Sequence, residues 1–469
     1  NMGCRFESYL IHTLQGNTEA AAAAKAEMKA LMRGAVHSYL EYAIDYASAG
    51  MYEEATQLLS FVAEGNEATY PMVYYALGYF ASKMGKKDEA LNLYKKAETM
   101  CPDYCFPNKL EEVLMLNDAM LLNPEGAKAP YYLGNFHYAA RIYDEAIACW
   151  EKSASIDDTY PTVLRNLSLA YYNKQHNPQK ALATLEKAYN LDTTDARILM
   201  ELDQLYKKLR YPHRQRLDFL EAHADVVEQR DDLCIERITL YNQLGEYQKA
   251  YDLINSRKFH PWEGGEGKVT SQYLLCRVEL AKIAIREGRF ADVIRLLKET
   301  EKYPDNLGEG KLSMAEENDI HYWMGCAYEG LGEEALAKEY FTKATKGSAE
   351  PAIAFFYNDQ QPDKIFYQGL AWRKLGEEDK ARSRFNRLIK HGEKHLFDKV
   401  KIDYFAVSLP DLLIWDDDLN VRNQIHCNLV MGMGYLGLGD KEQARKFLSE
   451  VARLDINHQA GKQLLKMCD

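Results

Sequence analysis

The chain has 469 residues, 47% of them hydrophobic, with a formal net charge of −12 and nine cysteines. Its length admits roughly two to four ordinary domains or one elongated repeat array. With no basic block to offset the acidic balance, nucleic acid and anionic membrane are excluded as natural partners, and no apolar run approaches the roughly 18 residues a membrane span needs.

Thirteen prolines are few for this length, and the abundance of Ala, Leu, Glu, Lys and Tyr is a helix-rich profile. The opening Asn1-Met2-Gly3-Cys4-Arg5-Phe6 has no apolar stretch before it, so Cys4 does not read as a lipid-anchored cysteine. The abrupt start reads as the cut end of a longer protein. The odd, scattered cysteines, with Cys149, Cys276 and Cys326 on apolar helical faces, read as free thiols in a reducing, cytoplasmic setting.

The first predicted element is the Ala20–Ala24 run, a strong helix former with no evident mate, within a helical segment over 1–35. An array of helix pairs is predicted over 36–258 and a second, continuous with it and carrying long inserted loops, over 259–469. One spacing organises both. Two small residues lie 12 apart at Ala43/Ala55, Gly78/Ala90, Gly134/Ala146, Gly325/Ala337, Gly369/Ala381 and Gly432/Ala444. Small residues fall where two helix axes approach closely. In five of these six pairs a glycine follows the first member by seven, at Gly50, Gly85, Gly332, Gly376 and Gly439. There it ends the first helix in a left-handed conformation. An aromatic one turn along the same face recurs at Tyr46, Tyr328, Trp372 and Tyr435.

Between these units the pattern degrades. Lys109 to Leu122 predicts a single amphipathic helix, Ser168 and Ala181 keep the spacing with one residue inserted, and 197–223 and 233–254 keep only helical periodicity. Tyr273 to Leu297 predicts a longer first helix ending at Gly288. The clearest unit is Asn318 to Gly347, with Met324, Gly325 and Tyr328 facing Ala337, Phe341 and Ala344. With Pro102 closing a unit of about 34 residues, the chain resembles the tetratricopeptide repeat family. The resemblance implies an all-α, right-handed solenoid of about ten helix pairs with a concave surface.

Three stretches are too long for helix-to-helix turns: Phe259 to Lys268, Tyr303 to Lys311, which shares its Gly-Glu-Gly-Lys ending, and Tyr357 to Asp363. Either glycines and prolines route the chain there, or Trp262, Glu263, Glu266, Glu309, Asp319, Tyr322, Tyr357, Asp359 and Asp363 line a binding site on the rim. His321 and Trp323 share that choice, with His321 favoured as a packed histidine. The strings FHPWEGGEGKV, YPDNLGEGK, ENDIHYWMGCAYEGLG, YNDQQPDKIFYQGLA and KHLFDKVKIDYFAVSLPD resemble the C-terminal tetratricopeptide half of large bacterial proteins. Those proteins carry an N-terminal, mutarotase-like β-sandwich domain of unknown function. That resemblance implies an absent domain suited to carbohydrate and assigns no catalytic residue to the repeats.

Sharper chemical motifs fail on context. Gly432, Gly434 and Gly437 match a dinucleotide fingerprint but lie inside a predicted helix. Gly267-Lys268 and Gly310-Lys311 lack the Ser or Thr of a phosphate loop. His391 and His395 lack the glutamate of a zinc-protease motif, Cys101 and Cys105 lack a second pair, and Asp416 to Asp418 lacks calcium-loop spacing. No cofactor or metal is expected, and no catalytic residue.

In tetratricopeptide repeats, positions two, five, nine and twelve of the first helix face the groove. Here the resemblance places Tyr75, Tyr79, Tyr131, Asn135, Tyr138, Arg165 and Tyr172 at such positions. They form a tyrosine-rich groove suited to an extended peptide, or else they pack one repeat on the next. The set lacks the arrangement of a carboxylate clamp. The expectation is a non-catalytic interaction scaffold that binds a protein or peptide, or its own absent β-sandwich domain. The alternative is a carbohydrate-binding or carbohydrate-active protein whose rim loops complete a sugar site.

Overall fold

The computed structural model describes residues 2–63, 70–313, 315–352, 360–401 and 414–468, and is helical throughout, with no strand among them. The chain divides into two compact units, Asn1–Asp192 and Thr193–Asp469.

Unit 1 opens with α1 (Met2–Leu14) and α2 (Thr18–Met32), which pack together as a hairpin, so the alanine-rich run does have a mate. Three more elements follow: the hairpins α3 (Val36–Ser48) with α4 (Tyr52–Ala63) and α5 (Pro71–Lys83) with α6 (Lys87–Glu98), then the single helix α7 (Leu110–Leu122). Two hairpins end the unit, α8 (Lys128–Ala139) with α9 (Tyr143–Ile156) and α10 (Pro161–Asn173) with α11 (Pro178–Leu191).

Unit 2 begins with α12 (Ala196–Lys208), α13 (His213–Ala222) and the short α14 (Ala224–Val227), followed by α15 (Asp231–Leu244) and α16 (Tyr247–Ser256). Then come α17 (Lys268–Arg286) with α18 (Phe290–Lys298), a 3-10 turn at Asp305–Leu307, and α19 (Asn318–Gly330) with α20 (Glu334–Ala344). The unit closes with α21 (Pro362–Lys374), α22 (Glu378–His395), α23 (Leu419–Leu438), α24 (Lys441–Leu454) and α25 (Gln459–Lys466).

Five of the hairpins are built by the same packing. A Cβ placed on Gly78, Gly134, Gly325, Gly369 or Gly432 would come within 2.3 to 2.7 Å of Tyr94, Trp150, Phe341, Phe385 and Leu448 respectively. Each contact residue follows its glycine by 16, one turn beyond the small residue at +12. The glycine is therefore the socket for a large side chain on the returning helix. The turn between the two helices is equally regular. Gly50, Gly85, Gly332, Gly376 and Gly439 all have φ between 76° and 85°, and Gly245 and Gly288 repeat this at 80° and 72°. Arg141, His176 and Arg210 take the same left-handed place without being glycine. From α3 to α24 every hairpin among the described residues thus turns on one left-handed residue, which accounts for ten pairs.

Counting back seven from Arg210 reaches Asp203, where other repeats place a small residue. Asp203 is buried and pairs through both oxygens with the buried Arg216 guanidinium of α13, at 3.0 and 2.6 Å. A buried ion pair replaces glycine packing there. The glycines of the apparent dinucleotide motif are likewise packing devices. A Cβ on Gly434 would meet the Phe385 carbonyl at 2.7 Å, and one on Gly437 the Phe385 ring at 2.2 Å, so the α23 backbone lies directly against both the main chain and the ring of Phe385 on α22.

Within unit 2 the last elements return to the first. The Trp415 indole donates to the Glu201 carbonyl at 3.0 Å, and Lys208 pairs with Asp417 at 2.9 Å. The Asn457 carboxamide, between α24 and α25, accepts from Arg216 at 3.3 Å, lies 3.2 Å from His213 and donates to the Lys207 carbonyl. Gln272 and Gln459 exchange amide hydrogen bonds at 2.8 and 3.0 Å, and Lys462 donates to the Gln243 carbonyl at 2.6 Å. The seam is almost wholly polar.

Candidate functional site

The first helices of three successive hairpins, α17, α19 and α21, stand side by side in one register. Their small residues Ala281, Gly325 and Gly369 recur at a constant interval of 44 residues. That register carries the same relative positions onto one face: Asp319 and Asp363 each lie six before the small residue, and Lys282 lies one after it.

Lys364 of α21 donates to Asp319 of α19 at 2.6 Å and also lies 3.3 Å from its neighbour Asp363. On α17, Lys282 pairs with Glu279 at 2.6 Å and stands 5.6 Å above the Trp323 ring. Trp323 donates to the Tyr367 hydroxyl at 3.3 Å, and Tyr322 packs on Trp323, Tyr367 and Phe341 with centroids 5.2 to 5.9 Å apart. The face is thus an aromatic floor bordered by two ion clusters whose side chains keep 11 to 31% of their exposure.

Charge on this face is unevenly shared. Burial raises the Asp319 carboxyl, but the Lys364 ammonium outweighs it and holds Asp319 below the usual range. Asp363 goes the other way: burial and then the Asp319 charge raise it, with Lys364 only partly opposing. Burial opposes the charge on Lys282, yet Tyr367, Glu279 and Asp319 hold it above the ordinary lysine range.

The first two long loops do meet. Phe259 donates its amide to the Asn306 carbonyl at 2.7 Å, and the Asn306 side chain donates to the Ile254 and Arg257 carbonyls at 2.8 Å. Glu309 accepts from the Gly267 amide at 3.0 Å and from Thr270, so it caps the start of α17, where a carboxylate also favours the helix dipole. Burial raises its carboxyl all the same. Trp262 is half-buried over Gly265 of its own loop, with Glu263 and Glu266 exposed. Tyr357 and Asp359 lie outside the described residues. His321 is half-buried, 6.1 Å from the Tyr340 ring. The His391 and His395 rings lie tilted with centroids 4.6 Å apart, and His426 stands 6.0 Å from His391, yet no three His, Cys, Asp or Glu side chains among the described residues are placed to hold a metal ion.

In unit 1, Tyr75 is fully buried and donates to Glu98 at 2.8 Å. Tyr131 is buried edge-on to Tyr160, and Asn135 accepts from the Trp150 indole at 3.1 Å and from Asn166 at 3.2 Å. Tyr138 packs between Tyr143 and Trp150, and Arg165 donates to Asn166 at 3.2 Å. Tyr79 and Tyr172 are half-buried, with Lys83 4.9 Å above the Tyr79 ring. Sequence reasoning missed Lys282, Glu279, Lys364 and Tyr367. The groove positions of the N-terminal half, carried onto the 44-residue register, fall on Lys282 and Asp363, next to the residues that hold them.

All nine cysteines are free, and no helix among the described residues is long and apolar enough to cross a membrane. Family profiles described as "Tetratricopeptide repeat" match residues 73–104, 319–346 and 365–391. The chain therefore carries tetratricopeptide repeats in both units. Among solved structures, MamA is 21% identical over 40% of this chain and 95% of its own, with a TM-score of 0.20. MamA 41-end from Desulfovibrio magneticus RS-1 is 18% identical over 42% and 97%, with a TM-score of 0.25. YrrB, titled a TPR protein with an unusual peptide-binding site, is 19% identical over 42% and 88%, with a TM-score of 0.21.

Proposed function

We propose that this tetratricopeptide-repeat chain is a non-catalytic interaction scaffold whose unit 2 receives a protein segment bearing a basic side chain on the face of α17, α19 and α21. The observation that carries this reading is that Asp319 and Asp363 share one lysine, with Lys364 at 2.6 and 3.3 Å. Glu279, Asp319 and Asp363 set three carboxylates against two ammonium groups, Lys282 and Lys364, so the face has room for one more cation. An arginine fits best, since a guanidinium offers paired donors to a carboxylate and stacks on rings such as Tyr322 and Trp323. Asp363, the less satisfied acid, is the expected contact. The exposed edges of the tyrosine groove in unit 1, at Tyr79, Tyr138, Arg165 and Tyr172, and a β-sandwich domain of a longer protein enter the same reading as an alternative surface and an alternative partner. No observation favours a sugar, because Trp262 covers Gly265 and Glu309 caps α17.

Titration of arginine-bearing and glutamate-bearing peptides of one length, followed by calorimetry and tryptophan fluorescence, tests this. Arginine peptides should bind and glutamate peptides should not. Asp363→Asn should weaken binding about tenfold, the worth of one charge-assisted hydrogen bond, with Tyr131→Ala/Arg165→Ala as the unit 1 control. Unchanged affinity in both Asp363→Asn and Asp319→Asn sinks the assignment.

A further inference from the structure

The helix α7 departs from the rule that each first helix has an antiparallel mate. Its buried side, with Met115, Leu116 and Ala119, packs on α5 and α8. Its other side is open, with Leu110, Leu114 and Leu121 exposed at 74, 56 and 78%. The exposed positions of α7 are Leu110, Glu111, Leu114, Asn117 and Leu121, a single formal charge in a chain that is 27% charged. Just before the helix, Tyr104 and Phe106 are exposed at 88 and 64%, flanking the buried Cys105. Tyr104 also holds a left-handed backbone, with φ at 59°.

We propose that this face is a self-association surface, on which α7 of a second copy of this chain lies antiparallel and supplies the mate that the array omits. The spacing 110, 114, 117, 121 alternates four and three, the seam of a two-stranded coiled coil. It is also self-complementary: a two-fold axis between 115 and 116 sets Leu110 against the partner's Leu121 and Leu114 against the partner's Asn117. A C2 contact requires such reciprocity. Asn117, whose amide donates to the Val113 carbonyl of its own helix at 2.9 Å, faces the partner's Leu114, so it weakens the seam at its centre. No like charges meet, since Glu111 falls opposite the partner's Met120. Area argues for a modest dimer: the three leucines and two aromatics expose on the order of 600 Å² per chain, against the roughly 800 Å² per side of a standard interface.

Sedimentation of the full chain tests this. A monomer–dimer equilibrium in the micromolar range is expected. Leu114→Glu should raise the dimer dissociation constant at least about tenfold, and Asn117→Leu should lower it. Both sites are exposed, so thermal unfolding monitored alongside should show the two variants folded. Direction is tested by Leu114→Cys/Asn117→Cys under oxidation, where peptide mapping should find the thiol introduced at the leucine position joined to the one introduced at the asparagine position of the second copy. A chain that stays monomeric at about 100 µM, a dimer indifferent to Leu114→Glu, or a disulfide joining the two leucine positions to each other would each overturn the proposal. So would a monomeric chain whose α7 face instead captures a helix of another protein.

Discussion

At Gly325 an added Cβ would stand 2.6 Å from the Phe341 ring, which is itself buried between two helices and has nowhere to swing. Alanine is otherwise the better helix former by about 1 kcal/mol, so the substitution sets propensity against overpacking, which costs about 1–3 kcal/mol. Overpacking should win. Gly325→Ala is expected to lower the unfolding free energy by about 1–2 kcal/mol in urea, and Gly325→Ala/Phe341→Leu to recover most of it. No recovery would mean that the ring is not what the glycine accommodates. The twelve-residue interval between small residues exposed this packing in the sequence. The bulky partner at +16 was legible at Phe341, which the pattern sets on the face opposite Gly325, but not as a rule, because at Tyr94, Trp150, Phe385 and Leu448 it lies one turn outside that interval.

The hairpin of α12 and α13 shows why some elements resisted reading. Its small residue is Asp203 and its left-handed turn is Arg210, so both markers are chemically disguised. What remains is the geometry: a turn seven residues on, and a partner at Arg216. Arg216 also reaches Glu236 of α15 at 2.7 Å, which joins two hairpins through one guanidinium. Burial raises the Glu236 carboxyl, but Lys207 and Arg216 overcome this and bring it down to about 2. Because that value lies below the ordinary carboxylate one, the contribution of Glu236 is complete above about pH 4.5 and is lost as pH falls through about 2. Asp203→Ala leaves the buried arginine with half its counter-charge and should cost about 3–5 kcal/mol, whereas Asp203→Leu/Arg216→Met should cost far less. Equal losses in urea melts of the two variants would show that the pair is not the organising contact. The three long loops illustrate the opposite limit: composition marked them as unusual, but that Asn306 and Glu309 bind neighbouring backbone depends on distances no one-dimensional pattern holds.

At the scale of a whole unit, unit 2 differs from an open array because its end is tied to its beginning by Asn457, Gln459, Lys462 and Trp415. These bonds span more than 180 residues of chain and leave no periodic trace, so nothing in the repeat code anticipates them. Being largely polar and mostly part-buried, they should open below the global unfolding free energy. Asn457→Ala removes contacts to Lys207, His213 and Arg216 together. Amide exchange should then speed up in α25 and at the end of α12 while α19 and α22 keep their protection. A uniform rise across the unit, or none, would deny the seam an independent opening.

That closure also makes unit 2 a structure that counts. An open solenoid can gain or lose a hairpin at either end and remain the same kind of object, with its stability changed by one increment. Here Asn457 reaches Lys207 and Arg216 only if the hairpins between them number and turn as they do. Excising one 44-residue period, even along a boundary that matches perfectly, would cost a hairpin and the clasp with it. Repeat number in this half of the chain is a fixed dimension, as it is in a ring.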